Sequence, residues 1–308
     1  MQINNCYKKV KNNCFKFIKT QETKTNKFKN KNKMLKAYLI PLCFWINKKV
    51  KKKSSLIIGL AGGQGTGKTT ITSIISIILK SYFKLNVFKI SIDDFYKTRK
   101  ERKKLSEDKH KLLMTRGVPG THDYKIIQDF FKKVKNQKFK HLTVPRFDKS
   151  IDDRCKKKQW YKIHSKPDVV ILEGWCVGAK SQKNKELSKT INSLERTKDK
   201  KCIWRKYVNN QLKTNYKKMF EKLDELIYLK ATSFKLLQKW RIVQEKRLSL
   251  KTKNKKNLKI MNKEDIVSFM QTYQRITQNM FKNMPKYASI ILNLNSNHQI
   301  KTAVYKSK

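Results

Sequence analysis

The segment GGQGTGKT, Gly62 to Thr69, constrains this chain more than any other feature. It fits G-x-x-x-x-G-K-[ST] and stands between a short apolar run, LIIGLA at 56–61, and an amphipathic stretch, TTITSIISIILKSYF at 69–83. In that context the pattern has a mechanism. Glycines let consecutive backbone N–H groups curl around a phosphate, at the start of a helix whose dipole favours negative charge. Lys68 then reaches the β- and γ-phosphates, and Thr69 offers its hydroxyl to Mg²⁺. The expected nucleotide-binding set is Gly62, Gly63, Gln64, Gly65, Thr66, Gly67, Lys68, Thr69 and Thr70, with ATP and Mg²⁺ as cofactors.

Four further short apolar runs alternate with helical periods: NVFKISI at 86–92, DVVILEG at 168–174, ELIYLKA at 225–231 and ASIILNL at 288–294. Five β-rich runs with helices between them predict an α/β fold, a five-stranded parallel sheet covered on both faces. Residues 180–222 and 234–284 read as mainly helical, and LSLKTKNKKNLK at 248–259 reads as a polar loop. Residues 1–33 read as a basic, disordered lead, and 34–308 as a single domain. AYLIPLCFWI at 37–46 is too short to span a bilayer, which takes about 20 residues, and is expected to be a short helix capping the domain.

Seventy-five Lys and Arg face 22 Asp and Glu, a formal net charge of +53. Such a balance invites a nucleic-acid or membrane reading. Only ten of the basic residues are arginine, however, and the lysines are scattered along the whole chain among Asn and Ile. That distribution describes a solvated surface more than a phosphate-tracking stripe, so neither a specific nucleic-acid partner nor a membrane is expected. The six cysteines form no C-x-x-C or other ligand spacing and read as reduced thiols of a cytoplasmic protein.

Against so much positive charge, the adjacent carboxylates of SIDDFY (91–96) stand out. They fall at the end of the second strand, the sheet edge where open α/β proteins bind ligands. A carboxylate there takes the proton of an acceptor hydroxyl or helps hold the metal; Asp93 is the candidate base. Asp94 is either a metal-side carboxylate or the cap of the following turn. VVILEGW (169–175) puts Glu173 at a strand end, where it binds Mg²⁺ directly or through water, with Gly174 allowing a sharp turn; the alternative is an ordinary buried strand ending in Glu. RGVPGTHD (116–123) presents Arg116, His122 and Asp123 on a rigid turn. PRFDKSIDDR (145–154) presents Arg146, Asp148, Lys149 and Arg154. Cations grouped with Asp suit a small, anionic, hydroxylated molecule, unless they form only a surface ion-pair network.

In order, GGQGTGKTT, SIDDFY, RGVPGTHD, PRFDKS, LEGW and WRIVQEKRL resemble the D-glycerate 3-kinase group of plant and fungal type, within the phosphoribulokinase/uridine kinase/pantothenate kinase superfamily. The resemblance runs over roughly 37–305 and includes NSLERTKDKKCIWRKYVNNQL at 192–212. It implies a P-loop kinase fold with an ATP-covering helical lid near 234–260, and transfer of the ATP γ-phosphate to a hydroxyl, of D-glycerate above all. It also implies Lys68 and Asp93 as catalytic residues, Glu173 as the Mg²⁺-associated acid, and Arg241 and Arg247 as lid arginines on the transferring phosphoryl group. Tyr96, Arg116, His122, Asp123, Arg146, Asp148, Lys149 and Arg154 fall on the acceptor side. One departure touches that side: the plant-type pattern has a longer, Gly-containing spacer between DKS and DR, where this chain has the compact SIDDR.

Three alternatives belong to other classes or acceptors. A kinase of uridine, pantothenate or a sugar phosphate would share the phosphate chemistry. A nucleic-acid-stimulated ATPase would want clustered Arg and stacking aromatics, which are not evident. A non-catalytic binding relative would not need Lys68, Thr69, Asp93 and Glu173 all intact.

Overall fold

The computed structural model describes residues 1–22, 27–52, 54–136, 138–251 and 261–306, without the side chains of 247–251. Its strands are β1 Leu56–Gly62, β2 Val87–Ser91, β3 Leu142–Val144, β4 Phe147–Asp148, β5 Asp153–Arg154, β6 Tyr161–Ile163, β7 Val169–Gly174, β8 Glu225–Lys230, β9 Ile290–Leu294 and β10 Ile300–Tyr305. The central sheet has the order β10-β9-β8-β1-β7-β2. From β9 to β2 every neighbour is parallel, so all five expected strands are present. A sixth, β10, adds antiparallel to β9 at the edge.

Continuous apolar runs form these strands because both faces are covered. Along β1, Leu56, Ile58 and Leu60 enter one apolar cluster, while Ile57 and Ala61 enter the other. Along β7 the same division separates Val169 and Ile171 from Val170 and Leu172. The first cluster takes in the helices Gln2–Gln21, Ile40–Val50 and Lys68–Ser81. The second takes in Tyr124–Lys135, Ile203–Gln211 and part of Lys263–Asn283.

The basic lead is not disordered where it is described: Gln2–Gln21 is a helix. Cys6, Val10, Cys14 and Ile18 recur every fourth residue and are fully buried, in one cluster with Ile74 and Ile78 of the helix Lys68–Ser81. Full burial of a side chain such as Val10 or Ile18 contributes about 1.5–3 kcal/mol. The lysines between them lie on the solvent face, so their number says nothing against a helix. The segment 37–46 is helical as expected, within a run from Lys31 to Val50 whose π-helical turn, Met34–Leu39, precedes Pro41. Most of the polar stretch 248–259 lies outside the described residues. Its first residues, 248–251, continue the helix Phe234–Lys251. All six cysteines are free. Among the described residues no helix is long and apolar enough to cross a membrane.

A buried ion pair ties the helical layer together. Arg275 donates from Nε and Nη2 to the two carboxylate oxygens of Glu195, each at 2.7 Å, and to the carbonyls of Glu186 and Lys189. The Glu195 side chain has no exposure. Arg275→Met leaves that carboxylate buried without its cation, so a loss of about 3–5 kcal/mol is expected as a lower urea midpoint of unfolding.

Candidate active site

Sheet register gathers the phosphate machinery at one edge. Glu173 of β7 sits opposite Leu60 of β1 and Ser91 of β2, so the ends of these three strands place the phosphate loop, Glu173 and the Asp93 turn side by side. Gly65 (φ 78°) and Gly67 (φ 84°) take left-handed backbone in the loop, and Gly67 caps the helix Lys68–Ser81. Thr66 Oγ1 donates to the Gly63 carbonyl at 2.8 Å, and Lys68 Nζ reaches back to the same oxygen at 3.1 Å. Gln64 is half-buried within the loop, and Thr70 lies half-buried in the first helical turn. Burial lowers the Lys68 pKa, an effect opposed by Glu173 and Asp93.

Thr69 Oγ1 donates to Glu173 Oε1 at 2.8 Å. Burial raises the Glu173 carboxyl, with Lys68 opposing. A hydroxyl and a carboxylate converging next to a phosphate loop are hard oxygen donors of the kind Mg²⁺ takes, so these two residues fit the metal. Gly174 plays a different part from a sharp turn. It has no left-handed backbone, and a Cβ there would lie 2.4 Å from Ile92 Cγ2, so close packing under the Asp93 turn excludes a side chain.

Asp93 opens a 3₁₀ turn, Ile92–Phe95, whose start is capped by the Ser91 hydroxyl. Asp93 Oδ1 accepts from the Tyr96 hydroxyl at 2.9 Å, and Oδ2 accepts from Lys149 Nζ at 2.6 Å. Burial opposes its charge, yet the Lys149 ammonium and these hydrogen bonds outweigh burial and hold the carboxyl down at about 2. Asp94 turns the other way. Its Oδ1 accepts from the Phe147 N–H at 3.3 Å, and burial pushes it up to about 6.

Tyr96 and His122 form one unit behind the base. The rings stack at 4.4 Å, and both residues are buried. His122 Nδ1 lies 2.6 Å from the Tyr216 hydroxyl, and burial lowers its pKa to about 4. Because the Tyr216 oxygen already accepts from the Gly120 N–H, its own proton is free for His122. Asp123 caps the helix Tyr124–Lys135 and lies 3.6 Å from Arg154, which also donates to the Tyr96 carbonyl.

The compact SIDDR forms the hairpin β4–β5, with Asp152 in left-handed backbone (φ 55°). Asp148 closes its turn by accepting from Ser150. Asp152 pairs with both Arg116 and the fully buried Arg102. Arg146 is exposed, with its guanidinium 6.0 Å above the Tyr161 ring.

The helix Phe234–Lys251 packs directly on the phosphate loop: a Cβ on Gly65 would meet Trp240 at 2.8 Å. Arg241 is paired on its own helix with Glu245 at 2.6 Å. The Arg247 side chain and residues 252–260 of the expected lid lie outside the described residues. The structure thus brings together Lys68, Thr69, Glu173, Asp93, Tyr96 and Lys149. It ties Asp94, Asp123, Asp148 and Arg154 into turns and caps. Arg102 and Tyr216 support the site without any signal in the sequence, since a basic residue or a tyrosine within a helical stretch gives no hint of its partner.

Residues 57–189 match the Phosphoribulokinase / Uridine kinase family, a span that holds the phosphate loop, Asp93, the Arg116–Asp123 turn, Lys149 and Glu173. An uncharacterized kinase of Schizosaccharomyces pombe is 30% identical over 225 residues, 70% of this chain and 78% of that protein. The chain belongs to the phosphoribulokinase/uridine kinase family. It is a kinase by that membership, and the family implies ATP as phosphoryl donor and a small-molecule acceptor. The kinase is also 26% identical to the chloroplastic D-glycerate 3-kinase of Arabidopsis thaliana over 227 residues, 68% of this chain and 47% of that protein. A solved D-glycerate 3-kinase from Cryptococcus neoformans shares the fold, with a TM-score of 0.72 at 20% identity over 88% of this chain and 99% of that one.

Proposed function

We propose that the kinase transfers the γ-phosphate of ATP to a hydroxyl of D-glycerate, with Asp93 as general base. The observation that carries this reading is the position of Asp93. It shares a sheet edge with Lys68 and the Thr69–Glu173 pair, and Lys149 of the β4–β5 hairpin reaches it. The acceptor hydroxyl gives its proton to the Asp93 carboxylate as its oxygen bonds to the γ-phosphorus. The bond from that phosphorus to the β–γ bridging oxygen breaks, and ADP leaves. Lys68 and the loop N–H groups stabilise the charge on the transferring group. Mg²⁺ held by Thr69 and Glu173 would neutralise charge on the β- and γ-phosphate oxygens. Arg241 would join them only on leaving Glu245.

A glycerate carboxylate needs a cation facing the cleft. Arg116 is engaged by Asp152, whereas Arg146 is exposed, and a guanidinium fork matches a carboxylate with two parallel hydrogen bonds. Arg146→Lys is expected to raise the KM for glycerate about tenfold, the worth of one charge-assisted hydrogen bond, with the KM for ATP unchanged. Steady-state kinetics on both substrates checks it. An equal rise for ATP, or none for glycerate, removes Arg146 from the acceptor pocket.

A further inference from the structure

We propose that Lys149 gates the site by charge: its ammonium covers the reacting oxygen of Asp93, and an acceptor carrying its own anionic group draws it away. The inference rests on the reading of the acceptor as a hydroxy acid. Both oxygens of Asp93 are engaged, Oδ1 by the Tyr96 hydroxyl and Oδ2 by Lys149 at 2.6 Å. Tyr96 is buried, so its contact is part of the scaffold. Lys149 is 60% exposed beside an Asp93 side chain that is 25% exposed, so the ammonium comes from the solvent side, the side from which an acceptor must enter.

The hairpin that carries Lys149 is held while its side chain is left to move. Asp148 fixes the turn through Ser150, and Asp152 is clamped by Arg102 and Arg116. The lysine stem can therefore swing without any change in the backbone. Lys149 is also the exposed partner of the pair, so its ammonium regains water as it leaves Asp93. A carboxylate entering the cleft offers the ammonium a second counter-charge, and the hydroxyl of the same molecule takes the vacated place on Oδ2. A neutral alcohol offers no such exchange and meets a base already covered. The pair thereby favours hydroxy acids over the uncharged alcohols of the same shape.

The test is kcat/KM for D-glycerate and for glycerol, in the wild type and in Lys149→Met. At an exposed hairpin turn this substitution leaves the fold intact. Glycerate is expected to lose about tenfold, as one charge-assisted contact is removed. Glycerol is expected to gain about threefold, as the base is uncovered. A lysine that only held the carboxylate would lower glycerate and leave glycerol unchanged, and that result overturns the gate. Should the wild type ignore glycerate, the acceptor reading fails by itself. The gate is then read on whichever acid the kinase does accept, against its uncharged analogue. A wild type that prefers the uncharged member of the pair overturns the gate as well.

Discussion

Replacing Asp93 with asparagine is expected to lower kcat by about 10²–10⁴-fold, the contribution of a positioned general base. Asparagine keeps the shape and can still accept from Tyr96, so the turn survives, and ATP binding should change by no more than a few fold. Asp94→Asn is the control. Its carboxyl receives the Phe147 N–H, burial raises it to about 6, and it faces the hairpin. A modest effect on turnover is expected there. Turnover and ATP affinity measured on both variants separate the two carboxylates. A benign Asp93→Asn beside a crippling Asp94→Asn would show the roles to be reversed.

Lys68→Ala is expected to reduce phosphoryl transfer by about 10²–10³-fold or more, the loss met when one preorganised donor is removed from developing charge. The loop itself should hold. Thr66 bonds Gly63 from within, and Gly65 and Gly67 set the backbone without the ammonium. Burial already disfavours the Lys68 charge in the protein alone, so the variant should unfold at a temperature no lower than the wild type's. Turnover and a thermal melt on one preparation read both halves. Wild-type turnover in this variant would remove Lys68 from the chemistry.

The parts of the fold written in local sequence were legible. The five parallel strands are runs of apolar residues buried on both faces, and the phosphate loop has its glycines where left-handed backbone is needed. β10 was not legible, because an edge strand has few buried positions: IKTAVY buries only Ile300. The helix Gln2–Gln21 is hidden for another reason. Its four-residue spacing of Cys6, Val10, Cys14 and Ile18 is present in the sequence, but the lysines that fill the solvent face between them give the segment the composition of a disordered one.

In the site, residues fixed by their place on a strand end were legible, since register alone brings Glu173 opposite Ser91 and beside Asp93. Pairings across the chain were not. Lys149 and Asp93 are 56 residues apart, and Arg102 and Arg116 meet on Asp152 only because the hairpin folds back over the Asp93 turn. Likewise nothing in RGVPGTHD says that His122 is buried against Tyr96 and Tyr216 instead of lining an open pocket.

The most direct measurement is ³¹P NMR of the products formed from ATP, Mg²⁺ and the purified kinase with D-glycerate, pantothenate, uridine and glycerol in parallel. The account predicts a phosphomonoester of glycerate formed in step with ADP, and at most slow product from the uncharged acceptors. A phosphorylated nucleoside, with glycerate untouched at millimolar concentration, would contradict it.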